Sequence, residues 1–69
     1  MIQYFWGDIV SVPLLQGAKV DAFVIRQENQ ELTVSIADDA PNRVVNVVDA
    51  TLIIRREDRL MLALKSSNS

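Results

Sequence analysis

From Gly7 to Arg56 the chain is a series of short apolar runs with a period of two, cut by turn residues. Successive side chains on a strand point to opposite faces, so such runs predict half-buried strands. The first is Asp8-Ile9-Val10-Ser11-Val12, opened by Gly7 and closed by Pro13, whose missing N–H bars it from a central ladder. It puts Val10 and Val12 on one face. After a loop at Leu14-Leu15-Gln16-Gly17, the run from Lys19 to Arg26 sets Val20, Ala22 and Val24 against Asp21, Phe23 and Ile25. A polar turn over Gln27-Glu28-Asn29-Gln30-Glu31 leads to the cleanest alternation, Leu32, Val34 and Ile36 against Thr33 and Ser35. Asp38-Asp39-Ala40-Pro41-Asn42 has turn composition. The fourth run, Arg43 to Val48, is apolar on both faces except at Asn46. Asp49-Ala50-Thr51 is too short for an α-helix and suits one 3₁₀ turn. Leu52-Ile53-Ile54-Arg55 then resumes extended structure.

The segment Glu57 to Lys65 carries two opposed signals. Its residues are strong helix formers without β-branching. Leu60, Leu62 and Leu64 alternate strictly, however, which suits a strand, and on a helix Leu62 faces away from the other two. The alternation favours a sixth strand closing a hairpin at Glu57-Asp58, with a short C-terminal helix as the alternative. The expected architecture is all-β: a small antiparallel barrel of five to six strands with one short 3₁₀ turn. Residues 1–65 form its single domain and 66–69 a frayed polar tail.

Composition narrows the chemistry. The 69 residues include no cysteine and no histidine, which excludes thiol nucleophiles, Ser-His-Asp triads, disulfides and the commonest metal sites. A chain this short lacks the usual staples of small folds, so tight packing or oligomerisation must supply stability. The net charge of −2 argues against a protein built chiefly to neutralise phosphates. The charge is uneven: Arg55 to Lys65 holds four bases and two acids (+2), leaving three bases and seven acids (−4) elsewhere. No apolar run approaches the ~20 residues of a membrane span. Met1-Ile2-Gln3-Tyr4-Phe5-Trp6 lacks the basic start and cleavage site of a signal peptide, so the expected compartment is the cytoplasm.

A loop after the first strand, a hairpin between the second and third, and a one-turn break before the fifth resemble the layout of SH3-like barrels. The residues carrying the likeness are Gly7-Asp8-x-Val10-x-Val12, Gly17-Ala18 and Val47-Val48-Asp49-Ala50-x-Leu52, within residues 5 to 56. Within that superfamily, Phe5-Trp6-Gly7-Asp8 is similar to the start of the barrel in plasmid-encoded type II dihydrofolate reductases, homotetramers whose central pore holds NADPH and dihydrofolate. Their pore motif Val-Gln-Ile-Tyr falls on Val44, Val45, Asn46 and Val47, where only the first residue agrees. Their lysine pair falls on Val12 and Pro13. The resemblance therefore implies the fold without the activity or the cofactor, and a phage, plasmid or other mobile-element origin. Proteins of this fold bind peptides, bind nucleic acid or assemble, and fold alone does not choose among them.

No constellation of residues reads as catalytic. The paired acids Glu28 and Glu31, Asp38 and Asp39, and Glu57 and Asp58 lie in turns, whereas acid–base pairs need environments that separate their pKa values. Asp38, Asp39 and Asn42 lack the glycine pivot and distal glutamate of an EF-hand loop. The apolar surface says more. A strand through Tyr4, Phe5 and Trp6 sends Phe5 to one face and its neighbours to the other, where they either plug the barrel or offer interface anchors. If Val20, Ala22 and Val24 line the core, Phe23 and Ile25 face outward, and Val44 and Val48 do so if Val45 and Val47 are internal. That much exposed apolar surface predicts an interface. The leading expectation is thus a non-enzymatic assembly or protein-binding module that forms a homo-oligomer through Tyr4, Phe5, Trp6, Phe23, Ile25, Val44 and Val48. The competing one is a nucleic-acid-binding barrel using Arg55, Arg56 and Arg59, with Tyr4 or Trp6 stacking on bases.

Overall fold

The computed structural model describes residues 2–14 and 17–67, without the side chains of 66 and 67. Five strands form one antiparallel sheet: β1 (Ile9–Pro13), β2 (Lys19–Glu28), β3 (Glu31–Ser35), β4 (Arg43–Asn46) and β5 (Thr51–Ile54), in the order β4-β3-β2-β1-β5. Antiparallel pairing follows from the short connections, since parallel neighbours need crossovers of a dozen residues or more. A 3₁₀ turn, Val47–Asp49, joins β4 to β5 and is capped by the Asn46 side chain, which accepts from Val48 N. It comes two residues earlier than the spacing predicts, because this cap starts the turn at Val47 and takes Val47 and Val48 out of β4. Among the described residues no ladder joins β4 to β5, so the hydrogen-bonded sheet is open rather than a closed barrel.

The core lies where the period-two pattern puts it. Val10, Val12, Ala22, Val24, Leu32 and Val34 are buried, and Tyr4 and Val47 complete the cluster. Two bulges adjust the alternation. Val24 pairs with Val34 but Arg26 with Thr33, so Ile25 is an extra residue on β2. The facing then reverses, which exposes Arg26 and half-buries Gln27, whose Oε1 accepts from Tyr4 N at 2.9 Å. On β5 the pairs Ile9 with Ile54 and Val10 with Leu52 leave Ile53 as the extra residue. The hairpin between β2 and β3 closes over Asn29 and Gln30, with Asn29 at a φ of 55°, a conformation that asparagine tolerates better than most residues.

The C-terminal segment is not a sixth strand. It is a helix, α1 (Arg56–Ser67), and its 12 residues cross the expected domain end at residue 65. Ser66 and Ser67, expected in the tail, belong to this helix, while Leu15, Gln16, Asn68 and Ser69 lie outside the described residues. Helix propensity and a cap supplied from the sheet outweigh the alternation of three leucines. No helix is long and apolar enough to cross a membrane among the described residues.

Candidate interaction surface

The N-terminal segment reaches the sheet through a tight turn rather than as a strand. Asp8 N donates to Phe5 O at 3.1 Å, and Gly7, third in that turn, has a φ of 95°, which the turn class with glycine there requires. The turn breaks the alternation expected of Tyr4-Phe5-Trp6. Tyr4 is 3% exposed while Phe5 and Trp6 are 58% and 57% exposed. Tyr4 Oη donates to Ala50 O at 3.2 Å, so the residue packs into the core rather than standing outward as an interface anchor.

Asp8, within the turn, organises the root of α1. It is 1% exposed, and its carboxylate accepts three hydrogen bonds: Phe5 N at 2.9 Å and Arg55 Nη1 at 2.8 Å on Oδ2, and Arg56 N at 3.0 Å on Oδ1. The last of these satisfies a donor in the first turn of α1 and sets a negative charge at the positive end of the helix dipole. Burial pushes the Asp8 carboxyl up. The bonds from Phe5 N, Arg56 N and Arg55, with the charge of Arg55, outweigh burial and hold it below its ordinary value. A carboxyl depressed by folding stabilises the fold above its unfolded pKa of ~3.9 and loses that contribution as pH falls through the folded value. We therefore expect the urea midpoint to drop on acidification below about pH 4, and Asp8→Asn to flatten that limb; an unchanged limb in the variant would show that other carboxyls cause it.

The three arginines singled out in the sequence all work at this junction. Arg55 Nη1 also donates to Gln3 O at 2.9 Å, and its guanidinium lies 5.8 Å from the Tyr4 ring centroid. Arg56 lies 5.4 Å from that of Trp6. Arg59 lies 5.7 Å from that of Phe23, and its Nη2 donates to Gly7 O at 2.9 Å. Trp6 and Phe23 meet edge to face at 5.2 Å. Arginine stacked on rings is a cation–π contact, and Arg56 here lies over Trp6, one of the two rings expected to stack on bases. The close fit depends on Gly7, where a Cβ would stand 2.6 Å from Arg56 Cδ.

Beyond the junction the surface carries apolar patches among its charged residues. Trp6, Phe23, Ile25, Ile36 and Asp38 border an open groove of about 430 Å³. Phe23 and Ile25 are half-buried rather than fully outward-facing, because Trp6 and Arg59 cover the first and the bulge turns the second. Val44 and Val48 are 60% and 79% exposed, and Val48 borders a second groove with Ile2, Tyr4 and Val47. On α1, Leu60, Met61, Leu62 and Leu64 are all exposed. Sequence reading allows the C-terminal segment a part in the interface but names none of these residues, because it favours a sixth strand there. It also passed over Asp8, whose partners Arg55 and Arg56 are 47 and 48 positions away.

α1 packs extensively against none of the strands. The molecule measures 40 × 27 × 19 Å, and its radius of gyration is 12.9 Å against about 11 Å for a compact chain of this length. Its accessible surface is 5095 Å², where a compact monomer of its mass exposes about 4300 Å².

No family model, curated protein or solved structure matches the chain.

Proposed function

We propose that this chain is a non-enzymatic assembly module, a small SH3-like fold that associates with further copies of itself through exposed apolar surface. The strand order and the single 3₁₀ turn before the fifth strand support the SH3-like reading. One observation carries the assembly reading. Leu60, Met61, Leu62 and Leu64 stand 46–64% exposed on one helix, a cluster of apolar surface of the kind that marks an interface. Much of the exposed apolar surface sits on a helix that has little tertiary packing of its own. A helix of 12 residues is marginal in water unless something packs against it. The nucleic-acid reading has less support, since Arg55, Arg56 and Arg59 are engaged with Tyr4, Trp6 and Phe23.

Absolute mass by light scattering on a sizing column tests this reading. Between about 1 and 100 µM, the range of micromolar dissociation constants, we expect a dimer or a larger closed assembly. A mass of 7.7 kDa throughout overturns it.

A further inference from the structure

The geometry points to antiparallel pairing of two α1 helices, one from each of two copies, about a two-fold axis; this rests on the self-association proposed above. At 100° per residue, Arg56 and Arg59 occupy the side of α1 that turns back to Trp6 and Phe23. Leu60, Met61 and Leu64 share a stripe centred roughly 120° round the helix from those arginines. Their exposures are 46%, 54% and 64%. The stripe therefore lies along a flank of α1, with Leu60 nearest the arginine side and Met61 farthest from it, and Leu60 and Leu64 are stacked neighbours four residues apart.

Charge selects the occupant and its direction. Glu57 and Asp58 lie in the first turn of α1 and Lys65 in the last. An antiparallel second copy brings Lys65 of one helix beside Glu57 of the other at both ends, and it opposes the two helix dipoles. A parallel copy sets Glu57 beside Glu57 and Lys65 beside Lys65, since Arg56 and Arg59 are held back on Trp6 and Phe23 and do not offset Glu57 on this flank. A two-fold axis makes the antiparallel contact self-complementary and closed, so the stripe is satisfied by one partner without building a filament. Packing α1 on its counterpart also covers apolar side chains that its limited packing on the strands leaves exposed.

The chain has no cysteine, so introduced thiols are unique. We would make Glu57→Cys and Lys65→Cys separately and treat each alone, and their mixture, with a bis-maleimide spanning adjacent helices, whose axes lie about 8–10 Å apart. Helical circular dichroism checks that each variant folds. The expected result is a cross-linked dimer several-fold more abundant in the mixture than in either variant alone. Leu60→Lys combined with Met61→Lys should raise the dissociation constant at least about tenfold, a change of about 1.4 kcal/mol. Cross-linking within each variant alone, as strong as in the mixture, indicates parallel helices and overturns the inference. Dimers by mass without any helix cross-link overturn the pairing and leave self-association standing. A monomer at every concentration overturns both.

Discussion

Alanine in place of Asp8 is expected to lower the unfolding free energy by about 3–4 kcal/mol, near the lower end of what losing one partner of a buried ion pair costs. The lower end applies because Arg55 keeps 28% of its side chain exposed and can recover water. The backbone N–H groups of Phe5 and Arg56 cannot recover water as easily, and each unsatisfied buried donor adds to the loss. A domain of this length has only about 3–10 kcal/mol in total, so the loss removes a third or more of its stability. Helical signal should fall first as urea is added, because the carboxylate satisfies the first turn of α1. Chemical denaturation followed by far-ultraviolet circular dichroism measures both effects. A loss below about 1 kcal/mol would mean that water replaces the carboxylate, and the account of the helix root would fail.

Leu32→Ala is the second large effect. Leu32 is fully buried in the middle of the sheet, opposite Gln27 on β2 and Val45 on β4. Removing Cγ and its two methyl groups leaves a cavity that a close-packed core refills only in part, at about 2–5 kcal/mol. Leu62→Ala is the matched comparison. That leucine is 57% exposed and lies off the stripe of Leu60 and Leu64, so its truncation should cost within about 0.5 kcal/mol. Urea midpoints at one protein concentration give both numbers, since self-association would otherwise mix with folding. Equal costs for the two leucines would contradict the burial pattern on which the fold rests.

These two leucines mark how far sequence reading reaches. Both sit in runs that alternate with period two, and the alternation of Leu32, Val34 and Ile36 marks a real strand. The same alternation in Leu60, Leu62 and Leu64 belongs to a helix. In the first case Val, Ile and Thr reinforce the period. In the second, residues without β-branching oppose it, and Asp8 satisfies the first turn of the helix, so the segment does not extend the free edge at β5. The aromatic triplet divides in a similar way. Three consecutive large rings announce contact surface or core, but the turn at Gly7 sends Tyr4 inward and leaves Phe5 and Trp6 outside. The basic segment was visible as well. Its engagement with Tyr4, Trp6 and Phe23 was not, since those contacts join residues that are distant along the chain.

Sequence alone was enough for whatever depends on neighbours a few positions apart: five extended runs, the 3₁₀ break, the inward set Val10, Val12, Ala22, Val24, Leu32 and Val34, and the exclusion of cysteine and histidine chemistry. Strand and turn preferences are local and survive in any context that buries one face. The open sheet, the shift of facing at Ile25, the burial of Asp8 and the projection of α1 came only with the folded chain. Each depends on groups far apart in sequence meeting within hydrogen-bond or van der Waals range. A carboxylate near the N-terminus caps a helix near the C-terminus because β1 and β5 lie side by side and bring Asp8 to Arg56. No periodicity in the chain encodes that meeting.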